Sequence, residues 1–164
     1  MGTKMVGAVS GGDIKKFVKD LQDKLNKTTL EVGFLDSKQA TIAAKNEYGG
    51  VYKVDEEYKK RAKNKGVNIG DTITIPPRPF MHMTFDNNKK KWINSFKKLL
   101  IKNKYDVNKS LKTLGVIMQT DIQNTIRDGD FVENSARTIA IKGFNKPLID
   151  SGDMLQSVTY EVHS

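Results

Sequence analysis

The chain has 164 residues, enough for one domain with a real hydrophobic core. It carries a net charge of +9 and no cysteine, which excludes disulfides and thiolate chemistry and makes a polyanion a candidate partner. No apolar run approaches the ~20 residues of a membrane span, and residues 1–12 lack the apolar stretch of a signal peptide, so they read as a flexible N-terminal arm.

From Asp13 to about Asn26, Ile14, Phe17, Val18, Leu21 and Leu25 recur at helical spacing, with Lys and Asp on the other faces. This predicts an amphipathic helix capped by Asp13 and docked on a core. Residues 28–35 alternate at Leu30, Val32 and Phe34, as a strand with one buried face does. Gly33 within it marks a bulge or a close backbone approach. An Ala-rich helix over 39–48 is stopped by Gly49-Gly50. Residues 51–70 are dense in charge and read as an inserted loop or small hairpin, and 71–75 as a strand.

Ile75-Pro76-Pro77-Arg78-Pro79-Phe80-Met81 organises what surrounds it. Its prolines fix φ and remove backbone donors, so it sits inside neither a sheet nor a helix. It is a stiff strand-to-helix elbow, with Pro79 placed to be the first helical residue. Two readings stand: a rigid connector, or an assembly contact with Arg78 offered to a neighbour or a nearby carboxylate.

After the elbow, Met81, Phe85, Trp92, Phe96 and Leu99 share a helical face, with Ile93 and Leu100 beside it. Lys90, Lys97 and Lys104 form a flanking row. It is either a solvated edge whose lysine stems cover apolar surface or a positive stripe facing DNA or an acidic partner. Asp106 caps a second long helix to about Arg127, lined by Val107, Leu111, Leu114, Met118, Ile122 and Thr125. The short connection between the two makes them antiparallel neighbours. Residues 135–142 supply one more helical turn. Asp150 or Ser151 caps a brief helix with Asp153 in its first turn. Residues 157–162 close the chain as a strand, expected in one sheet with 28–35 and 71–75. The fold class is α+β: a small antiparallel or mixed sheet packed on two long antiparallel helices and an N-terminal amphipathic helix. Residues 13–164 form the single domain, with the charged insertion at about 51–70.

No chemistry is written in the sequence. His82 and His163 are the only histidines, so a multi-histidine metal site within one chain is excluded. There is no phosphate-binding glycine loop and no dinucleotide fingerprint. Asp128-Gly129-Asp130 lacks the ligand spacing of a calcium loop, and Asp150 with Asp153 is explained by capping. The expectation is no catalytic residue, no metal and no cofactor.

Read together, the motifs resemble the tail-completion and head–tail joining proteins of tailed bacteriophages. Asn46-Glu47-Tyr48-Gly49-Gly50 follows the first strand and the Ala-rich helix. The proline elbow leads into the long helix, and Leu114-Gly115 sits in the next. Thr138 to Lys142 then precedes Pro147-Leu148-Ile149-Asp150-Ser151-Gly152-Asp153-Met154-Leu155 and the terminal strand. Ser151 stands where the family more often has Thr, and 51–70 stands as an insertion. The resemblance implies a non-enzymatic virion protein that closes into a ring with copies of itself at the head–tail junction, joined to other neck, connector or tail proteins. Expected assembly contacts are Tyr48, Gly49, Gly50, Pro76, Pro77, Arg78, Pro79, Phe80, Asp150, Ser151 and Asp153. A DNA channel would give Lys90, Lys97 and Lys104 a non-specific role. The alternative is a nucleic-acid-binding protein using that lysine face; no membrane partner is expected.

Overall fold

A computed structural model of the chain describes residues 11–164. The elements run α1 (Gly11–Lys27), β1 (Thr29–Phe34), α2 (Ser37–Tyr48), β2 (Gly50–Lys53), α3 (Glu56–Asn64) and β3 (Thr72–Ile75). They continue with α4 (Phe80–Lys102), α5 (Val107–Asp128), α6 (Ala136–Lys142), α7 (Asp153–Gln156) and β4 (Val158–His163). The fold is α+β. Asp36, Asp55, Asp106 and Ser135 cap α2, α3, α5 and α6, each side chain accepting a backbone N–H in the first turn. Asp13 is not the cap of α1 but lies in its first turn, because the helix already includes Gly11 and Gly12. The rest of the expected N-terminal arm lies outside the described residues.

The strands form two ribbons, not the single sheet expected. β1 pairs antiparallel with β4, from Thr29 opposite His163 to Phe34 opposite Val158. β3 instead pairs antiparallel with β2, from Gly50 opposite Ile75 to Lys53 opposite Thr72. The Gly49–Gly50 turn and the proline elbow bring those two ends together, so β3 finds its partner there. The stretch at 51–70, expected as an inserted loop or a small hairpin, is therefore part of an antiparallel β2–β3 pair with α3 set between its strands. Its charge is compatible with a helix because Asp55 caps it and Lys59 pairs with Glu56 one turn back. Ala62 is its fully buried residue.

Helix α4 packs along α5, and the β1–β4 ribbon lies across α5. The two long helices meet through a tight turn in which Lys104 and Tyr105 adopt positive φ of 53° and 63°. One core cluster, near that turn, gathers Trp92, Val107, Leu111 and Leu114. The other gathers Ala43, Phe80, Ile122, Ile126, Leu148, Met154 and Val158 below the elbow. Gly115 lets β4 sit directly on α5: a Cβ there would fall 2.4 Å from Cδ2 of Tyr160. Gly33 is not a bulge, for its register is unbroken, and a Cβ there would meet Met81 only at an ordinary contact distance of 3.7 Å; its φ of +150° is what favours glycine. Phe85 and Ile93, expected on the buried face of α4, are exposed, because α5 covers only the side marked by Trp92.

Candidate functional site

The elbow is held by the Asn46–Gly50 motif. Pro79 occupies the N-cap of α4 and brings no side chain that can accept a hydrogen bond. The open N–H groups of Met81 and His82 instead donate to the carboxylate of Glu47, at 2.9 and 3.1 Å. Glu47 is buried, and a carboxylate at a helix N-terminus is favoured by both the donors and the helix dipole. His82 Nδ1 lies 2.5 Å from the same carboxylate. One residue earlier, the Asn46 carbonyl accepts the Arg78 N–H at 2.7 Å. Gly49, at φ +65°, lies so close to the elbow that a Cβ would fall 2.6 Å from Pro77 N. Only glycine meets both demands.

Arg78 points inward. It is 4% exposed, and among the described residues its hydrogen-bond acceptors are uncharged oxygens. Its Nε donates to the Val132 carbonyl at 2.8 Å, and Nη2 donates to the Glu133 carbonyl and Asn134 Oδ1 at 3.2 and 3.3 Å. Nη1 reaches Asn46 Oδ1 at 3.5 Å. Burial disfavours the charged guanidinium and pulls its pKa below the ordinary arginine value. The side chain thus ties the elbow to the segment before α6, and the expectation that it is offered to a neighbour or a carboxylate is corrected.

Beside this network opens a cleft of about 610 Å³. One wall is the inner face of β2 and β3 with the start of α3. The other is α2, the segment around Asn134, α6 and residues 147–154. Among its lining residues the Arg61 guanidinium forms a two-pronged ion pair with Asp150, at 2.6 and 2.9 Å. That pair raises the Arg61 pKa and holds the Asp150 carboxyl below its ordinary range. Lys142, half-buried beside them, donates to the Lys146 carbonyl at 2.5 Å. Burial lowers its pKa; Asp150 opposes that shift, while Arg78 and Arg61 add to it.

The expected contact residues divide by exposure. Tyr48, Gly50, Pro77, Pro79, Asp150, Ser151 and Asp153 are exposed, Tyr48 at 70%. Gly49, Arg78 and Phe80 are buried, and Pro76 is half-buried on the cleft. Pro79 holds the N-cap position of α4 and is not its first residue; Gly152 holds that position in α7, where the Ser151 hydroxyl accepts the Asp153 N–H at 3.4 Å and Asp150 is turned to Arg61 instead. Lys90 and Lys97 stand exposed on α4, but Lys104 belongs to the turn beyond it, so the lysine row is one heptad long. Lys91, on the other edge, is committed to Asp121 at 2.7 Å, which also accepts the Trp92 indole N–H at 2.8 Å. Sequence reasoning missed Glu47, Arg61, Asn134 and Lys142 as working residues. Only Glu47 left a signal: a helix beginning at Pro-Phe without its own capping side chain needs an acceptor from elsewhere.

Among the described residues, no group of three or more potential ligands could hold a metal ion, and no helix is long and apolar enough to cross a membrane. No family model, no curated protein and no solved structure matches the chain.

Proposed function

We propose that this chain is a structural subunit of the head–tail junction of a tailed bacteriophage. It closes into a ring with copies of itself and joins the head connector to the tail by protein–protein contacts. The observation that carries an assembly role is α1. Its apolar stripe keeps Ile14 at 52%, Phe17 at 46%, Val18 at 45% and Leu25 at 36% exposure, and none of its residues is buried. An apolar face that the subunit itself covers so poorly is what a neighbouring copy can cover. The phage assignment rests on the order of the motifs. Their interlocking supports it, because the Asn46–Gly50 motif, the elbow and residues 147–154 all meet at one place.

The test is the solution mass by light scattering, at low and high salt and after nuclease treatment. A discrete oligomer unaffected by nuclease is expected, and Phe17→Lys is expected to return it to monomer with helix content unchanged. A protein that stays monomeric at high concentration and is indifferent to Phe17→Lys would overturn the ring. The nucleic-acid reading keeps one specific observation in its favour: Lys90 and Lys97 are exposed and have no acidic partner among the described residues. It requires a monomer that carries nucleic acid, releases it in salt and loses it in Lys90→Glu/Lys97→Glu.

A further inference from the structure

The cleft under the β2–α3–β3 excursion has a composition that the elbow does not require. We propose that it is a docking site for an extended peptide segment of another protein, one that carries an aspartate or glutamate. The inference stands on the cleft alone and is independent of the head–tail reading.

The volume of about 610 Å³ falls in the ~300–1,000 Å³ range of sites that enclose a ligand. One corner of the cleft is charged: Lys142 feels Arg61, Arg78 and Asp150, and Asp150 is held by Arg61 in their two-pronged pair. Asp150 is thus engaged, and Arg78 is hydrogen-bonded by carbonyl and amide oxygens, which leave its charge uncompensated. That corner therefore holds surplus positive charge in a half-buried place, where Coulomb interactions are stronger than at an open surface. Asp55, Glu57, Glu133 and Asp153 also line the cleft, and the Asp55 carboxylate is occupied as the cap of α3. Lys38, Lys45 and Lys53 line the cleft too, Lys45 held over the Tyr52 ring, so the station proposed for an incoming carboxylate is the one beside Lys142, where Arg61 and Arg78 add their charge.

Two further groups point to a peptide and not a bare anion. Gln39 Oε1 and Asn134 Nδ2 are buried atoms with no hydrogen-bond partner among the described residues. Both residues line the cleft, one offering an acceptor and the other a donor. A buried polar atom without a partner costs about 1–3 kcal/mol, and the N–H and C=O of an extended backbone are the complementary pair. The remaining surface, with Tyr52, Tyr58, Ile73 and Ile75, suits the side chains of such a strand. The arm of this chain is a poor occupant, since residues 1–10 contain Lys4 and no acid. A phosphate would satisfy the cations but leave the apolar wall and Gln39 Oε1 unmatched.

The test pans the full chain against a display library of random octapeptides, then measures a synthetic consensus by fluorescence anisotropy. Enriched sequences are expected to carry Asp or Glu among apolar residues. Replacing that acid by its amide, or making Lys142→Glu, is expected to weaken binding about tenfold or more, which is ~1.4 kcal/mol. Lys90→Glu/Lys97→Glu, remote from the cleft, should leave the affinity within about twofold, a difference of less than ~0.5 kcal/mol. Should Lys142→Glu melt abnormally, Lys142→Gln removes the charge at similar length and is read the same way. Enrichment without acids, or equal affinity in a folded Lys142 variant, would overturn the proposal. So would full displacement by millimolar phosphate, which marks a small-anion site, or Lys142-dependent dimerisation in place of peptide binding.

Discussion

Arg78→Ala is expected to unfold the elbow before it touches anything outside the subunit. The guanidinium donates to two backbone carbonyls at 2.8 and 3.2 Å and to two side-chain amide oxygens at 3.3 and 3.5 Å. Hydrogen bonds from a charged donor contribute roughly 1.5–3 kcal/mol each, so the two carbonyl bonds alone represent about 3–6 kcal/mol. Against this stands relief from burying a cation, which returns a part of that sum. A net loss of about 3 kcal/mol follows. At roughly 2–4 °C per kcal/mol for a domain of this size, melting falls by about 6–12 °C. Arg78→Lys keeps a charge but not the fork, and should recover less than half. The assay is thermal unfolding followed by far-ultraviolet circular dichroism and by fluorescence of Trp92, the only tryptophan. Trp92 reports from the core cluster that does not contain Phe80, so coincident curves would show that the elbow is coupled to the whole domain. Because Arg78 is interior, oligomer formation should decline in step with stability and not ahead of it. An Arg78→Ala protein melting within about 2 °C of the parent, a loss of less than ~1 kcal/mol, would refute this account.

Gly115→Ala places a methyl 2.4 Å from the Tyr160 ring and should cost about 1–3 kcal/mol as β4 is pushed from α5. Adding Tyr160→Ala should restore part of the loss, as measured by denaturant midpoint; a plain sum of the two losses would argue against direct contact. Glu47→Ala removes the cap of α4 from two N–H donors and should lower stability by about 1–2 kcal/mol, with faster amide exchange at Met81 and His82 as the specific sign. The Asp150 carboxyl has a lowered folded pKa, so its stabilisation is complete above the unfolded value of about 3.9 and is lost as pH falls through the folded value. Since both partners are about two-fifths exposed, Asp150→Asn should cost no more than about 1 kcal/mol at pH 7. The gap between variant and parent should close in strong acid; a gap constant from pH 7 to the acid limit would show that the Arg61 pair is not its source.

How much of this was legible depends on whether the signal was local. The α4–α5 pair could be read directly, because apolar period, Asp106 at the cap and a short connection all agree. The strands themselves were legible at 28–35, 71–75 and 157–162, but their pairing was not. Alternation says that a strand has a buried face and says nothing of which edge finds which partner. β2 carried little alternation in four residues, so a hairpin at 51–70 stayed one of two readings and its pairing with β3 was not drawn from it. α3 was hidden by its charge, since Tyr58 and Ala62 are a thin inward stripe among lysines and glutamates. The site failed for the same reason. Arg61 and Asp150 stand 89 positions apart, and Arg78 meets its carbonyls more than fifty positions on.

The elbow illustrates how a motif can be central to a fold and still face inward. Its prolines hold the chain extended where neither ribbon nor helix can satisfy it. The backbone groups around it are answered by Asn46, Glu47 and Arg78 from inside the subunit. Several positions there demand a particular residue: a carboxylate at 47, a fork at 78 and no side chain at 49. Residues under that much internal constraint are poor carriers of partner choice, since any change made for a neighbour would be felt first as lost stability. In the assembly role proposed above, partner choice would fall instead to the surfaces that the chain does not use for itself. These are the apolar stripe of α1, the exposed Tyr48 and Val51 beside the turn, and Val132, whose carbonyl holds Arg78 while its side chain stays 59% exposed. On this view the elbow fixes the angle at which those surfaces are presented, and the surfaces determine what is bound.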